Sequence, residues 1–353
     1  MDEYSWASAV GHIRVREKDF LSRAALVQMA EATGLDAALA ALRDTSYGPY
    51  VSALADKNTF PSALEKALSA AYEYVYGISP DPLPVTVFRA RHDFHNLKVL
   101  CKVACLGGPG SPQAFTKAGN FDPAAFTAED PAVLEAPDVV ETERRDLIIE
   151  RRAGRDAYRN AISMVDKDKH RVPADRLALQ VDSLIDVAYY DWASSTVRRS
   201  GHEGLIGFLA AEVDVLNLKV SMRAFRLGIG VELYRDIALR GGSVESSELS
   251  EAFARSPAAV AAVFRTTRWA PLAEAGAAAV AARHSLTSWE KSCDDALMAV
   301  VRKARYFSLG PEPVFGFIFG KEAEVRNLRV ILSGKQSAVS TQEISERLRD
   351  PYV

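Results

Sequence analysis

Three carboxylates in this sequence share one local setting that could support acid–base chemistry. Asp93 lies in RARHDFHNLKVLCKVACLG (89–107), Asp214 in FLAAEVDVLNLKVSMRAFRLG (208–228) and Glu324 in FIFGKEAEVRNLRVILSGK (317–335). Each is followed three residues later by Asn96, Asn217 or Asn327, then by Leu, then by a base: Lys98, Lys219 or Arg329. A positioned carboxylate beside an amide and a cation is a set that general acid–base catalysis uses. The first copy adds His92, His95, Cys101 and Cys105, residue types that bind zinc. The cysteines stand at i, i+4 and the histidines at i, i+3, so a metal is conceivable. However, His95 points away from the Asp93 face, and His92 lies turns away from the cysteines. In the other copies the two His positions hold Val213 and Ala323, and Leu216 and Arg326. One chain rarely carries three equivalent active sites, so the repetition favours architecture over catalysis.

Other reactive patterns are missing. Ser333-Gly334-Lys335 is a lone tripeptide rather than a phosphate loop, and Gly228-Ile229-Gly230 lacks the third glycine of a dinucleotide fingerprint. Neither G-x-S-x-G nor H-E-x-x-H occurs. No catalytic residue, cofactor, metal or small-molecule substrate is expected.

The element that must position each acid is a helix. At about 100° per residue, acid, Asn and Leu at i, i+3 and i+4 fall on one stripe, which Leu100, Ser221 or Ile331 continues at i+7. The base at i+5 points about 140° away. An acid and an amide on a core-facing stripe need partners, because an unmet buried polar group costs roughly 1–3 kcal/mol. The expectation is therefore a structural network, with Asn96, Asn217 and Asn327 in equivalent buried positions.

Apolar residues recur at spacings of three and four along most of the chain, as in Leu64, Leu68, Ala71 and Val75, and the fold class reads as all-α. A second similarity pairs AALAALRDTSYGPY (37–50) with AAVAAVFRTTRWAP (258–271), so that Thr45-x-Tyr47-x-Pro49 matches Thr267-x-Trp269-x-Pro271. A third pairs GNFDPAAF (119–126) with GGSVESSEL (241–249), each a turn leading into a helix start. The Asn residues are 121 and 110 positions apart (217 − 96 and 327 − 217). Three sequential helical units are expected, at 1–110, 111–232 and 233–353. The run from Gly107 to Pro112 and the Pro-dotted stretch to Pro137 read as a long loop or linker. Half of residues 141–176 are charged with mixed sign, which reads as a solvated helix laced with ion pairs. The aromatics Tyr72, Tyr74, Tyr76, Tyr189, Tyr190 and Trp192 read as helix packing.

A net charge of −3 gives no electrostatic footprint for nucleic acid. Three cysteines without framework spacing point to a reducing compartment. The N-terminus lacks a signal-peptide pattern, and no apolar run approaches the ~18–20 residues that cross a bilayer.

Taken in order, RARHDFHNLK, Asp186-x-x-Tyr189-Tyr190, the acid-x-x-Asn-Leu-Lys second copy and the closing EAEVRNLRVILSGK resemble the C subunit of archaeal and bacterial V-type (A-type) rotary ATPases, whose eukaryotic counterpart is the d subunit. The resemblance runs from Tyr4 through Lys335. It implies a funnel of three similar helical domains around a pseudo-threefold axis, seated on the cytoplasmic face of the membrane proteolipid ring. It also implies that the funnel receives the central stalk and transmits torque for proton or sodium transport, without chemistry of its own. A docking surface needs an exposed apolar patch with a polar rim. The expected places are Tyr47 and Pro49, Trp269 and Pro271, and Pro311 and Phe315, at loops and helix starts. The rival readings are a helical-repeat adaptor, which predicts an extended solenoid, and an all-α metalloenzyme built on the His92/Cys101 region.

Overall fold

Helical periodicity carries through to the architecture. In a computed structural model, which describes residues 3–106, 114–127, 141–168, 170 and 172–353, every regular element is an α-helix or a short 3-10 helix. The run from Gly107 to Pro112 and most of the stretch to Pro137 lie outside the described residues. The charged stretch expected as a solvated helix is helical over Glu141–Asp168, but it is not solvated throughout: Glu150 and Arg151 are buried.

The chain divides into two units, Met1–Val85 with Ser285–Val353, and Thr86–His284. The first unit draws residues from two separated stretches of chain. At its centre lies the helix Glu312–Gln336, against which the helices Ala7–Arg16, Arg23–Glu31, Leu35–Ala40 and Phe60–Ile78 pack. Its sequence explains why it is central. Every residue from Pro313 to Lys321 is buried, and Val325, Leu328, Ile331 and Leu332 continue as a buried stripe, while Arg326 and Arg329 face out. A segment buried on every side lies in the core. Glycine brings neighbours close: a Cβ at Gly320 would meet Cγ and Cβ of Tyr352 at 2.7 and 2.8 Å. Tyr352 is thereby seated against the helix, and its hydroxyl donates to Glu17 (3.0 Å), which Arg14 clamps with two bonds of 2.9 and 2.8 Å.

In the second unit two long helices, Leu83–Leu106 and Glu203–Leu227, carry the other two acids. Helices Glu141–Asp168 and Ala174–Ser200 pack on each other as a hairpin. A polar ladder ties the helix Leu83–Leu106 to Ala174–Ser200: Arg91 donates to the Tyr189 hydroxyl (3.1 Å), Lys98 meets Asp186 (2.6 Å) and Lys102 meets Asp182 (2.7 Å). The descending order 189, 186, 182 against 91, 98, 102 shows that the two helices run antiparallel. Phe94, Tyr189 and Trp192 stack between them.

Candidate functional site

Each of the three motif helices presents its Asn to one backbone residue further along the chain. Asn96 donates to the carbonyl of Thr116 (2.9 Å) and accepts from its N–H (2.9 Å). Asn217 does the same with Leu239 (2.9 and 2.8 Å), and Asn327 with Arg349 (3.0 and 2.9 Å). The partners lie 20, 22 and 22 residues downstream. A side-chain amide offers one donor and one acceptor side by side, so it closes on both polar groups of one residue as a neighbouring strand would. All three Asn side chains are fully buried. Neither an ionised Asp nor Leu, of similar size, can complete this pair.

The acids hold the start of another helix. Asp93 accepts from the N–H groups of Asn120 (2.6 Å) and Phe121 (3.0 Å), and Asp122 then caps the turn Pro123–Phe126. Asp214 accepts from the N–H of Ser243 (2.8 Å), its hydroxyl (2.5 Å) and the N–H of Val244 (3.4 Å), just before the helix Ser246–Phe253. Glu324 accepts from the N–H of Leu21 (2.5 Å), just before Ser22 caps the helix Arg23–Glu31. In every copy an acid-bound N–H belongs to the residue preceding the N-cap. Glycine makes the approach feasible in two copies, because a Cβ at Gly119 or Gly242 would lie 2.2 or 2.3 Å from the carboxylate oxygen of Asp93 or Asp214. The turn similarity between 119–126 and 241–249 encodes this cradle.

A side-chain donor from another helix region completes each acid. The Trp269 indole donates to Asp214 (3.2 Å), and the Tyr47 hydroxyl donates to Glu324 (2.8 Å). The Thr residues at the head of that repeated pattern act alike. Thr45 and Thr267 each donate to the carbonyl three residues back (2.7 and 2.8 Å) and accept from the N–H of Tyr47 and Trp269 (3.2 and 3.1 Å). Lys321, itself buried, adds an ion pair to Glu324 (2.7 Å) and lies over the rings of Phe20 and Tyr47.

The first copy has Glu150 in the corresponding role. Glu150 is fully buried, and its Oε2 accepts from Asn120 Nδ2 (2.9 Å), while the backbone N–H of the same Asn120 serves Asp93. Its Oε1 has no hydrogen-bond partner, and the side chain interacts directly with the Asp93 carboxyl. Two buried carboxyl groups side by side disfavour a charge on both. Burial first, and the Asp93 charge second, push Glu150 well above the usual carboxylate range. Burial also raises Asp93 to about 6, against the opposing bonds from Asn120, Glu150 and Phe121. Burial beside Asp93 therefore favours the neutral form of Glu150, in the copy where neither Trp nor Tyr supplies a donor. Burial raises Asp214 as well, opposed by the bonds of Ser243, Val244 and Trp269.

The bases diverge. Lys98 is half-buried on Asp186, Lys219 is half-buried, and Arg329 is exposed. The residues expected to form a docking surface are mostly interior. Tyr47 and Trp269 are 2% and 3% exposed, with their polar tips on the acids, and Pro311 and Phe315 are buried at the N-cap and in the first turn of the central helix of the first unit. Only Pro49 and Pro271 are exposed, each in the first turn of a helix. Those four buried side chains therefore belong to the core and not to a docking face. Burial raises the Cys101 thiol to about 12, His95 bonds the carbonyl of Ala114 (3.2 Å), and the described residues assemble no group of three metal-binding side chains. Among them, no helix is long and apolar enough to cross a membrane.

The ATP synthase (C/AC39) subunit family model matches residues 9–347. The C subunit of the V-type sodium ATPase of Enterococcus hirae is 23% identical over 345 residues, spanning 96% of this chain and 97% of that protein. The C subunit of the A-type ATP synthase of Methanocaldococcus jannaschii is 27% identical over 366 aligned positions, covering 98% of this chain and 86% of that protein. A shorter match, 28% over 142 residues, is to the same A-type ATP synthase component of Haloferax volcanii, covering 40% of each chain. With a family match that runs through all three acid–Asn motifs, this chain belongs to the ATP synthase (C/AC39) subunit family.

Proposed function

We propose that this chain is the coupling piece of a V/A-type rotary ATPase or ATP synthase, joining the central stalk to the membrane proteolipid ring and turning with both. As a member of its family it is a structural subunit of the rotary complex and not a catalytic one. The observation that carries the reading is where its reactive groups are spent. Asp93, Asp214, Glu324 and the three Asn residues are all sealed in the interior, each holding the protein's own backbone. Transmitting torque needs a body that does not yield under load, and buried, hydrogen-bonded polar networks rigidify a helical protein. In this reading the three motifs mark three related helical units around a funnel-shaped opening. The protein sits peripherally at the cytoplasmic face of the membrane through the ring, and carries proton or sodium transport without binding the ion, nucleic acid or a small-molecule substrate.

Co-purification of the full chain with the central-stalk subunits and the proteolipid ring tests this reading. Stable binding to both is expected, and failure to bind either contradicts it. A helical-repeat adaptor would instead give the small-angle scattering of an extended rod rather than of a cone.

A further inference from the structure

In the first unit, two aromatic rings stand in solvent on a rigid mount. Tyr306 is 86% exposed and Phe307 46%, at the end of the 3-10 helix Arg302–Tyr306. Exposed rings on a loose loop would need no explanation, but this loop is pinned. The Arg14 guanidinium donates to the carbonyls of Phe307 (2.6 Å) and Ala304 (3.3 Å) while it is held by the buried Glu17, which Tyr352 also supports. Arg302 donates to the carbonyl of Pro351 (3.0 Å), fixing the start of the same turn. Beside Arg14 on the helix Ala7–Arg16, Val15 is 64% exposed. The apolar surface is therefore preorganised, and binding there orders little chain.

Charge sets the kind of partner. Lys303 and Arg305 alternate with the pinned residues, are exposed, and pair with no carboxylate among the described residues. Aromatic anchors with arginine at the edge have the composition of a protein interface centre. An anionic lipid surface calls for clusters of about four to eight cations, and this patch has two without a carboxylate partner. We infer that Val15, Tyr306 and Phe307, rimmed by Lys303 and Arg305, form a docking surface for an acidic, apolar-centred segment of another protein in the complex. The inference rests on the proposed function only in that the partner is sought within the assembled complex.

The test places a photo-crosslinking p-benzoylphenylalanine at position 306 of the full chain, within the complex purified from cells. Crosslinked peptides are identified by mass spectrometry. The expected product is a protein peptide with a net negative charge. In a second arm Lys303→Glu with Arg305→Glu lowers crosslink yield about tenfold at low salt and less at high salt, because exposed charges are screened. Arg305 also lies over the Tyr352 ring (5.9 Å), so Lys303→Glu alone, whose side chain stands in solvent, is the control: it should unfold thermally as the parent does and still lower the yield. A crosslink to lipid alone, a crosslink to a peptide without excess acid, or a yield indifferent to the charge reversal would overturn the inference. If the chain still co-purifies with stalk and ring while position 306 crosslinks nothing, this surface is refuted and the coupling role stands. If the chain binds neither partner, the coupling role itself fails.

Discussion

Replacing Asn217 with Ala removes both bonds to Leu239 (2.9 and 2.8 Å) and leaves that residue's N–H and C=O buried without partners. Each orphaned group costs about 1–3 kcal/mol, so the pair costs about 2–6 kcal/mol, centred near 4. Hydrogen exchange of the peptide containing Leu239 reads the loss locally, without requiring the two units to unfold together. At about 1.4 kcal/mol per tenfold, exchange should quicken by roughly 10³-fold. A companion variant separates hydrogen bonding from cavity formation. Asn217→Asp keeps the shape, and one oxygen still accepts from Leu239 N–H, but the other faces a carbonyl. Burial and that carbonyl raise the folded carboxyl above its usual value of about 3.9. Its contribution is therefore full below that unfolded value and lost as pH rises through the folded one. Relative to the parent, Asn217→Asp should regain protection on going from pH 8 to pH 5, where its O–H donates to the carbonyl, and Asn217→Ala should not. An Ala variant with less than about threefold faster exchange, or an Asp variant equal to the parent at pH 8, would refute the clamp.

Glu150→Gln removes the carboxyl beside Asp93 and has no proton to gain. Because burial and the Asp93 charge raise the Glu150 carboxyl when folded, folding takes up a proton above the usual glutamate value of about 4.3, and stability falls as pH rises. The Gln variant should match the parent near pH 4, exceed it at pH 8 and flatten the pH dependence of urea unfolding. Gly242→Ala places a methyl 2.3 Å from Asp214 Oδ1, and chemical unfolding should show a loss of more than about 2 kcal/mol, with Gly119→Ala behaving alike. Trp269→Phe removes the indole donor to Asp214 but keeps most of the ring, and should cost about 1–3 kcal/mol in the same assay. Gly320→Ala should lower the melting temperature and expose Tyr352 to proteolysis, since its Cβ would clash with that ring.

Periodicity made the helices legible, and the acid–Asn spacing made the three motif stripes legible, because a helix fixes which side chains share a face. Two further similarities carried more than their short length suggested. Thr45-x-Tyr47 and Thr267-x-Trp269 were expected at a surface, yet they deliver buried donors to Glu324 and Asp214. An aromatic with a polar tip fits either setting, and only packing decides. The partners of the motifs were not legible for a physical reason. Thr116, Leu239 and Arg349 contribute their backbone, and a backbone group leaves no residue-type signal. Glu150 looked like one more charge in a solvated helix, since nothing local marks the carboxyl that will be buried against another. Nor does order along the chain show that Glu324 is completed by Leu21 and Tyr47, about 300 residues earlier. That long closure is why the first unit draws on both ends of the chain.

The coupling role is tested most directly by watching this chain during turnover. With the nucleotide-binding head of the purified complex fixed to a surface and a bead attached to this protein, ATP addition should make the bead rotate in step with the central stalk. A bead that stays still while a bead on the stalk turns would place this protein outside the rotor and contradict the account.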